Sequence, residues 1–334
     1  MRTTAFAPGR VNLIGEHTDY NAGFALPFAI ARGVTVRTTP LPGGMVMARA
    51  TDLHETDNFN ADDPGHADGW RAFVRGTVAE LGARAARIEI SGDVPRGGGL
   101  SSSAAFGAAL ALALCGEDDP DRRALARLCS KVENEWVGAQ TGLLDQYASL
   151  LAIERHALLI DFAHDTVEPV PVEVGGWQFV VVRAGAPHDH AEGGYNDRRR
   201  ECQEAAERLD VHTLRWATAE AAEQLEEPWR SRALHVITEN ERVLAAVDAL
   251  RAADLVTLAA LLDASHASLR DRFAVSTDAV ERVVDRLRAS GAMGARLIGG
   301  GFGGHVLALY PPGARLPSGS LTVTPSAGAT VRSA

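Results

Sequence analysis

Residues 92–105 read GDVPRGGGLSSSAA and run without a break into the apolar segment 104–114. A loop of glycine and serine that passes at once into alanine and leucine constrains the fold more than any other part of the chain. A helix apolar all round is a buried helix, so the loop before it is pinned to a core and is not a free spacer. Glycines let a backbone come close to a ligand, serines offer hydroxyls, and a helix N-terminus presents unpaired N–H groups at the positive end of its dipole. This is the chemistry of a phosphate cradle. A flexible Gly-Ser linker and plain helix capping by Ser101, Ser102 or Ser103 are the competing readings.

A phosphate loop of the Walker type needs Gly-Lys-Ser/Thr, and a protein kinase needs its strand lysine. Lys131 is the sole lysine and stands in an amphipathic segment beside no glycine loop, which excludes both and nearly excludes lysine Schiff-base enzymes. With 334 residues the chain is expected to hold two domains, and 46% hydrophobic residues suffice for their cores. A net charge of −10, with the basic residues spread thinly, offers no extended face to nucleic acid or anionic membrane. No apolar run approaches the ~20 residues that span a bilayer. The opening Met-Arg-Thr-Thr leaves no room for a signal peptide, so a cytoplasmic protein is expected. Cys115, Cys129 and Cys202 include no CxxC and read as reduced thiols, neither a disulfide framework nor a zinc site.

Short β-type runs alternate with longer helical ones. Strands are expected near 34–39, 45–50, 87–90, 157–162 and 177–182, and helices over 70–81, 104–114 and 121–137. The second half carries helices near 196–209, 233–252, 254–269 and 278–289, closed by strands near 295–298 and 305–309. No βαβ repeat appears, so the class is α+β. Prolines and paired glycines place the domain boundary within 167–176, giving domains 1–170 and 171–334.

Other segments could carry chemistry. Residues 9–23 read GRVNLIGEHTDYNAG, in which Val11, Leu13 and Ile14 suggest a buried strand leading to a charged tip; a solvated surface loop is the bland alternative. Asp145 follows Gly142 in an apolar stretch and reads as a site carboxylate or a helix N-cap. Glu133 is on local grounds an exposed helical residue. Residues 294–309 read GARLIGGGFGGHVLAL, a hairpin with more glycine than a turn needs, which suggests close packing on another loop or a nucleotide. His188-Asp189-His190 has metal-like spacing but no third ligand nearby and reads as an exposed loop.

Taken together, residues 9–23, 92–105 and 294–309 resemble the three motifs of galactokinases within the GHMP superfamily of small-molecule kinases. WRAFVRGTVAEL (70–81), VENEWVG (132–138), YNDRRRECQE (195–204), SHASLRDRFAVST (265–277) and PSAGA (325–329) are similar to that family too, so the likeness covers nearly the whole chain. It implies an N-terminal domain of mixed sheet and helices, a ferredoxin-like C-terminal domain, and an active site in the cleft between them. It implies an ATP- and Mg2+-dependent transfer of the γ-phosphate to the anomeric hydroxyl of galactose by a monomer. Asp145 would take or orient the hydroxyl proton, and Arg10 would offset charge on the phosphoryl group. Glu16, His17, Thr18, Asp19, Gly142 and Tyr195 would hold the sugar. Gly97, Gly98, Gly99, Leu100, Ser101, Ser102 and Ser103 would wrap the phosphates, and Ser103 and Glu133 would bind magnesium directly or through water.

The sequence departs from the family pattern where IGGGFGG (298–304) replaces TGAGFGG, where TGLLD (141–145) replaces a CGIMD-type run, and where Phe106-Gly107 stand in place of a glutamate. None of these removes a catalytic group. N-acetylgalactosamine kinase or another GHMP hexose kinase is the alternative within the superfamily. A non-catalytic galactose sensor would be expected to damage SSSAA (101–105), which is unbroken here.

Overall fold

The computed structural model describes residues 2–95, 98–116, 120–139, 141–185 and 191–333. The chain runs β1 (Thr3–Asn12), β2 (Phe24–Ala25), β3 (Pro27–Pro40), β4 (Met45–Ala50), β5 (Glu55–Asn60), α1 (Trp70–Leu81), β6 (Ala86–Gly92), α2 (Ser102–Leu114), α3 (Arg122–Val132), α4 (Leu144–Leu151), β7 (His156–Asp161), β8 (Thr166–Pro171) and β9 (Gln178–Gly185). It continues through α5 (Ala191–Arg208), α6 (Ala219–Ala222), α7 (Trp229–Arg251), α8 (Leu255–Asp271), α9 (Asp278–Ala289), β10 (Gly294–Ile298), β11 (Gly304–Tyr310), β12 (Leu321–Val323) and β13 (Thr330–Ser333).

The first sheet has the order β13-β1-β3-β6-β4-β5 and is mixed, with β4 and β6 parallel. Helix α2 is buried from Ala104 to Ala113, and its alanines let it lie close on this sheet within one core that also takes Phe73, Phe106 and Leu125. β7 lies between β2 and β8 in a small three-stranded antiparallel sheet.

The C-terminal sheet has the order β10-β11-β9-β12, antiparallel throughout. Numbered by their own sequence this is 2-3-1-4, the ferredoxin-like arrangement, with a loop in place of the second crossover helix. Its strands obey the alternation of a sheet buried on both faces. Val180, Val182, Val306, Ala308, Ala295 and Leu297 face a core with α5 and α9, whereas Phe179, Val181, Leu307, Leu309 and Ile298 face a second core shared with Phe28 and Ile30 of β3. α7 belongs to both, through Ala233 and Val236 at one end and Val243 to Leu250 at the other. The Phe28 and Phe179 rings lie 5.5 Å apart and join the two sheets. The fold is the two-domain α+β fold, and the C-terminal strand β13 returns to pair with β1.

One expectation changes. The helix expected over 121–137 ends at Val132 and continues as a π-helical turn, Glu133–Val137, where Trp136 is drawn against Gly76 of α1. Strand β8 runs into the stretch 167–176, and its Pro169 and Pro171 are tolerated because β8 is an edge strand.

Candidate active site

The phosphate loop is closed in from three sides. Arg10 N–H donates to the Leu100 carbonyl at 3.1 Å, and a Cβ on Gly9 would stand 2.6 Å from that oxygen. A Cβ on Gly98 would meet His305 Nδ1 at 2.1 Å, and on Gly99, whose φ is +80°, the Ile298 carbonyl at 2.7 Å. The glycines are therefore required by β1, β11 and the third motif, all packed on one loop. His305 hydrogen-bonds the Gly98 carbonyl. Ser101 is left-handed at φ 56° and does not cap α2; its hydroxyl is turned to Asp145 instead. The first N–H groups of α2 thus carry no side-chain cap, and Ser101, Ser102 and Ser103 at its start line the cleft, where an anion can be met. Gly97 lies outside the described residues, as do His188, Asp189 and His190.

Asp145, in the first turn of α4, is the point where the two halves of the site meet. Arg10 Nε donates to its Oδ1 at 2.7 Å, and Ser101 Oγ donates to its Oδ2 at 2.5 Å. Arg10 also bonds the Gly99 carbonyl, and its side chain is only 6% exposed against 26% for Asp145. Both line the cleft, the carboxylate more openly than the arginine.

Of the residues expected to hold the sugar, Glu16, His17, Thr18 and Asp19 stand on the loop between β1 and β2, Gly142 just before α4 and Tyr195 on α5. Glu16, His17, Asp19 and Tyr195 line a cavity of about 630 Å3 together with Arg10, Asp145, Gly142 and residues 98–103. Asp19 is pressed so close to Gly142 that a Cβ there would stand 2.2 Å from its Oδ2. Loss of water raises the Asp19 carboxyl to about 6, and the negative charges of Asp145 and Glu16 add to this. Burial, with His235 nearby, lowers His17 to about 3, so its ring is neutral. Its Nδ1 meets the Tyr20 hydroxyl at 2.9 Å, and its ring lies 5.3 Å from that of Tyr195. Burial raises Glu16, partly offset by Arg296 and Arg10; its Oε1 accepts from Gly299 N–H at 2.9 Å and ties this loop to the third motif. Thr18 is placed differently. Its hydroxyl lies 2.9 Å from the Gly15 carbonyl and 2.7 Å from that of Phe24, it is wholly buried, and it holds the turn without lining the cavity.

Glu133 is buried one layer behind the cavity, where it accepts from Gln146 at 2.7 Å and Thr141 at 3.2 Å and pairs with the Ser103 hydroxyl. Burial and the charge of Asp145 raise its carboxyl. Among the described residues no arginine or lysine pairs with it.

Other residues that build the site were not singled out in the sequence. Arg296 is flanked on β10 by Ala295 and Leu297, so alternation turns it to the opposite face, where its Nη1 donates to the Leu13 carbonyl at 2.8 Å and its Nη2 lies 3.5 Å from Glu16. Glu239 and Asn240 of α7 lie behind the sugar loop; the legible signal was a carboxylate three residues after Val236 and four before Val243, on an otherwise apolar stripe. His305 could have been read as the one imidazole beside the glycine-rich turn.

The arrangement offers a base-positioned carboxylate, a neighbouring cation, an anion cradle and a polar pocket for hydroxyls, which together suit phosphoryl transfer to an alcohol. Comparisons with known proteins agree. The family model "Galactokinase galactose-binding signature" matches residues 2–40, "GHMP kinases N terminal domain" residues 71–152 and "GHMP kinases C terminal" residues 246–317. A galactokinase of Haemophilus influenzae is 41% identical over 92% of this chain and 85% of its own length. One of Mycobacterium bovis is 42% identical over 93% and 90%. A crystal structure of Lactococcus lactis galactokinase complexed with galactose superposes with a TM-score of 0.90 at 28% identity, over 98% of this chain and 95% of that one. A Methanococcus jannaschii mevalonate kinase, with a TM-score of 0.68 at 18% identity over 97% and 98%, shares the fold. On site geometry, family models and relatives alike, the chain belongs to the galactokinase family.

Proposed function

We propose that the chain transfers the γ-phosphate of ATP to the anomeric hydroxyl of galactose, giving galactose 1-phosphate and ADP. The observation that carries this reading is Asp145, held by Arg10 and Ser101 where the sugar-side loop and the phosphate loop meet. The sugar hydroxyl gives its proton to, or is oriented by, the Asp145 carboxylate as its oxygen attacks the γ-phosphorus. The bond from that phosphorus to the β–γ bridging oxygen breaks, and ADP leaves. Arg10 offsets the negative charge on the phosphoryl oxygens, and the N–H groups at the start of α2, with residues 98–103, hold the remaining phosphates. Neutral His17 and the carboxylates of Glu16 and Asp19, with Tyr195 and the backbone at Gly142, suit an uncharged ligand that offers hydroxyl donors.

Ser103 and Glu133 fit a magnesium ion. Burial and then the charge of Asp145 raise the Glu133 carboxyl, and no basic side chain among the described residues neutralises it. Magnesium asks for few protein ligands when phosphates and water supply the rest. When bound, the ion would neutralise charge on the transferring phosphates; Ser103 would hold it from the cavity wall and Glu133 from behind, directly or through water.

The division into domains 1–170 and 171–334, with the cleft between them, is part of the same reading. The cysteines are free thiols, which suits a reducing cytoplasm, and no described helix is long and apolar enough to cross a membrane.

A coupled ADP-release assay with ATP and magnesium across galactose, N-acetylgalactosamine, glucose and mevalonate tests the proposal. Galactose is expected to be turned over fastest, with activity lost on chelation. Faster turnover of another acceptor, or none with any hexose, would count against it.

A further inference from the structure

The sugar-side loop presents its side chains to the cavity because something else holds its backbone. At its entry, Gly15 N–H donates to Glu239 Oε1 at 3.0 Å. At its exit, Phe24 N–H donates to Asn240 Oδ1 at 2.8 Å. Between them, His235 Nε2 meets the Glu16 carbonyl at 3.2 Å. His235, Glu239 and Asn240 are i, i+4 and i+5 on α7, so one helical face grips three backbone positions of one loop. The fit is close. A Cβ on Gly15, whose φ is +98°, would stand 2.9 Å from Val243 Cγ2 of the same helix, and one on Gly23 would stand 2.4 Å from Asn240 Oδ1.

Glu239 is wholly buried and its carboxylate is fully engaged. Ser265 Oγ donates to Oε1 at 2.6 Å, and Arg242 Nε donates to Oε2 at 2.7 Å. Burial alone would raise this carboxyl; Arg242, His235, Arg296 and the Ser265 hydroxyl hold it at about 2. A buried ionised carboxylate that accepts a backbone N–H is a strong and directional tie, and leaving one of its partners unpaired is costly. Replacing it loosens the loop at its entry.

We infer that Glu239, with Asn240, is a positioning residue for the acceptor sugar: it fixes the backbone of residues 15–24 so that Glu16, His17 and Asp19 converge on the cavity. Helix α7 of the C-terminal half thereby sets the acceptor site carried by the N-terminal half, whereas the phosphate loop is held by β1, β11 and the third motif. The inference rests on residues 15–24 forming the sugar side.

The test compares Glu239→Gln, Asn240→Ala and Ser265→Ala with wild type, using as acceptor whichever sugar of the panel wild type turns over fastest. In Glu239→Gln the KM for sugar is expected to rise about tenfold, with the KM for ATP and the kcat at saturating sugar within about twofold of wild type. Asn240→Ala and Ser265→Ala should move the same constant by less. Amide exchange in the sugar-free chain should quicken across 15–24 and stay unchanged across 98–103. This readout needs no substrate, so it decides the inference even if no sugar of the panel is turned over. An unchanged sugar KM with unchanged exchange in the loop overturns the inference. So does a parallel rise of both KM values with a lowered unfolding midpoint, the mark of general destabilisation. If Glu239→Gln does not yield folded protein, Asn240→Ala and Ser265→Ala decide by the same criteria.

Discussion

The two loops that meet at Asp145 are built on opposite principles. The phosphate loop is shaped by backbone: Gly98 and Gly99 admit His305 and Ile298 at distances no side chain allows, and the loop offers N–H groups and hydroxyls. The sugar loop is shaped by buried side chains that reach its backbone from α7, and what it offers is charge: Glu16 and Asp19, both raised by burial, beside a neutral His17. On the proposed function the contrast has a reason: a phosphate is the same in every nucleotide and can be met by amides. A sugar is distinguished by where its hydroxyls point, so its site needs side chains in fixed places and bears the cost of burying them.

The strongest test of that contrast is at the junction. Asp145→Asn should lower kcat by about 10²–10⁴-fold while the affinity for ATP stays near wild type, read by ADP release and by nucleotide titration. Near-normal turnover would remove Asp145 from the mechanism. A matched pair of glycine variants should then separate the loops. Gly142→Ala forces a methyl onto Asp19 and should raise the KM for sugar, whereas Gly98→Ala forces one onto His305 and should raise the KM for ATP. Overpacking of about 1–3 kcal/mol corresponds to roughly 5- to 150-fold in each case. If both variants move both constants equally, the loops are not independent.

A smaller effect is expected behind the cavity. Glu133→Gln should raise the half-saturating magnesium concentration about tenfold, measured by turnover at fixed ATP; no change would take Glu133 out of metal binding. The smallest concerns stability. The folded chain binds the Asp19 proton more tightly than the unfolded chain, since its carboxyl is raised from 3.8 to about 6. Stability therefore falls as pH rises from about 4 to about 6 and stays lowered above that. Asp19→Asn should raise the unfolding midpoint at pH 8 by about 2–4 °C, with the gain vanishing below pH 4, although sugar affinity is lost. A gain that is the same at both pH values would show that charge is not its source.

Much of this was legible in the chain. The strands near 45–50, 87–90, 295–298 and 305–309, and the helices over 70–81 and 104–114, follow from runs and periodicities that are local. Strand β5 was not, because it reads ETDNFN: Asp57 faces inward and is neutralised by Arg75 of α1 at 2.8 Å, a pairing no local pattern announces. The terminal strand β13, with only four residues, acquires its identity from β1, more than three hundred positions away.

By itself the sequence determined which residues could do the chemistry. Glycine, a carboxylate, an arginine and an unbroken apolar helix carry their physical demands locally, through permitted φ, charge and the need for burial. Only the tertiary structure decided which of them meet. Arg10 and Asp145 are 135 residues apart, Gly15 and Glu239 are 224 apart, and Leu13 and Arg296 are 283 apart. A hydrogen bond acts over about 3 Å of space whatever the length of chain between its partners. The buried support of the sugar loop therefore existed only once α7 and β10 had packed against the end of β1.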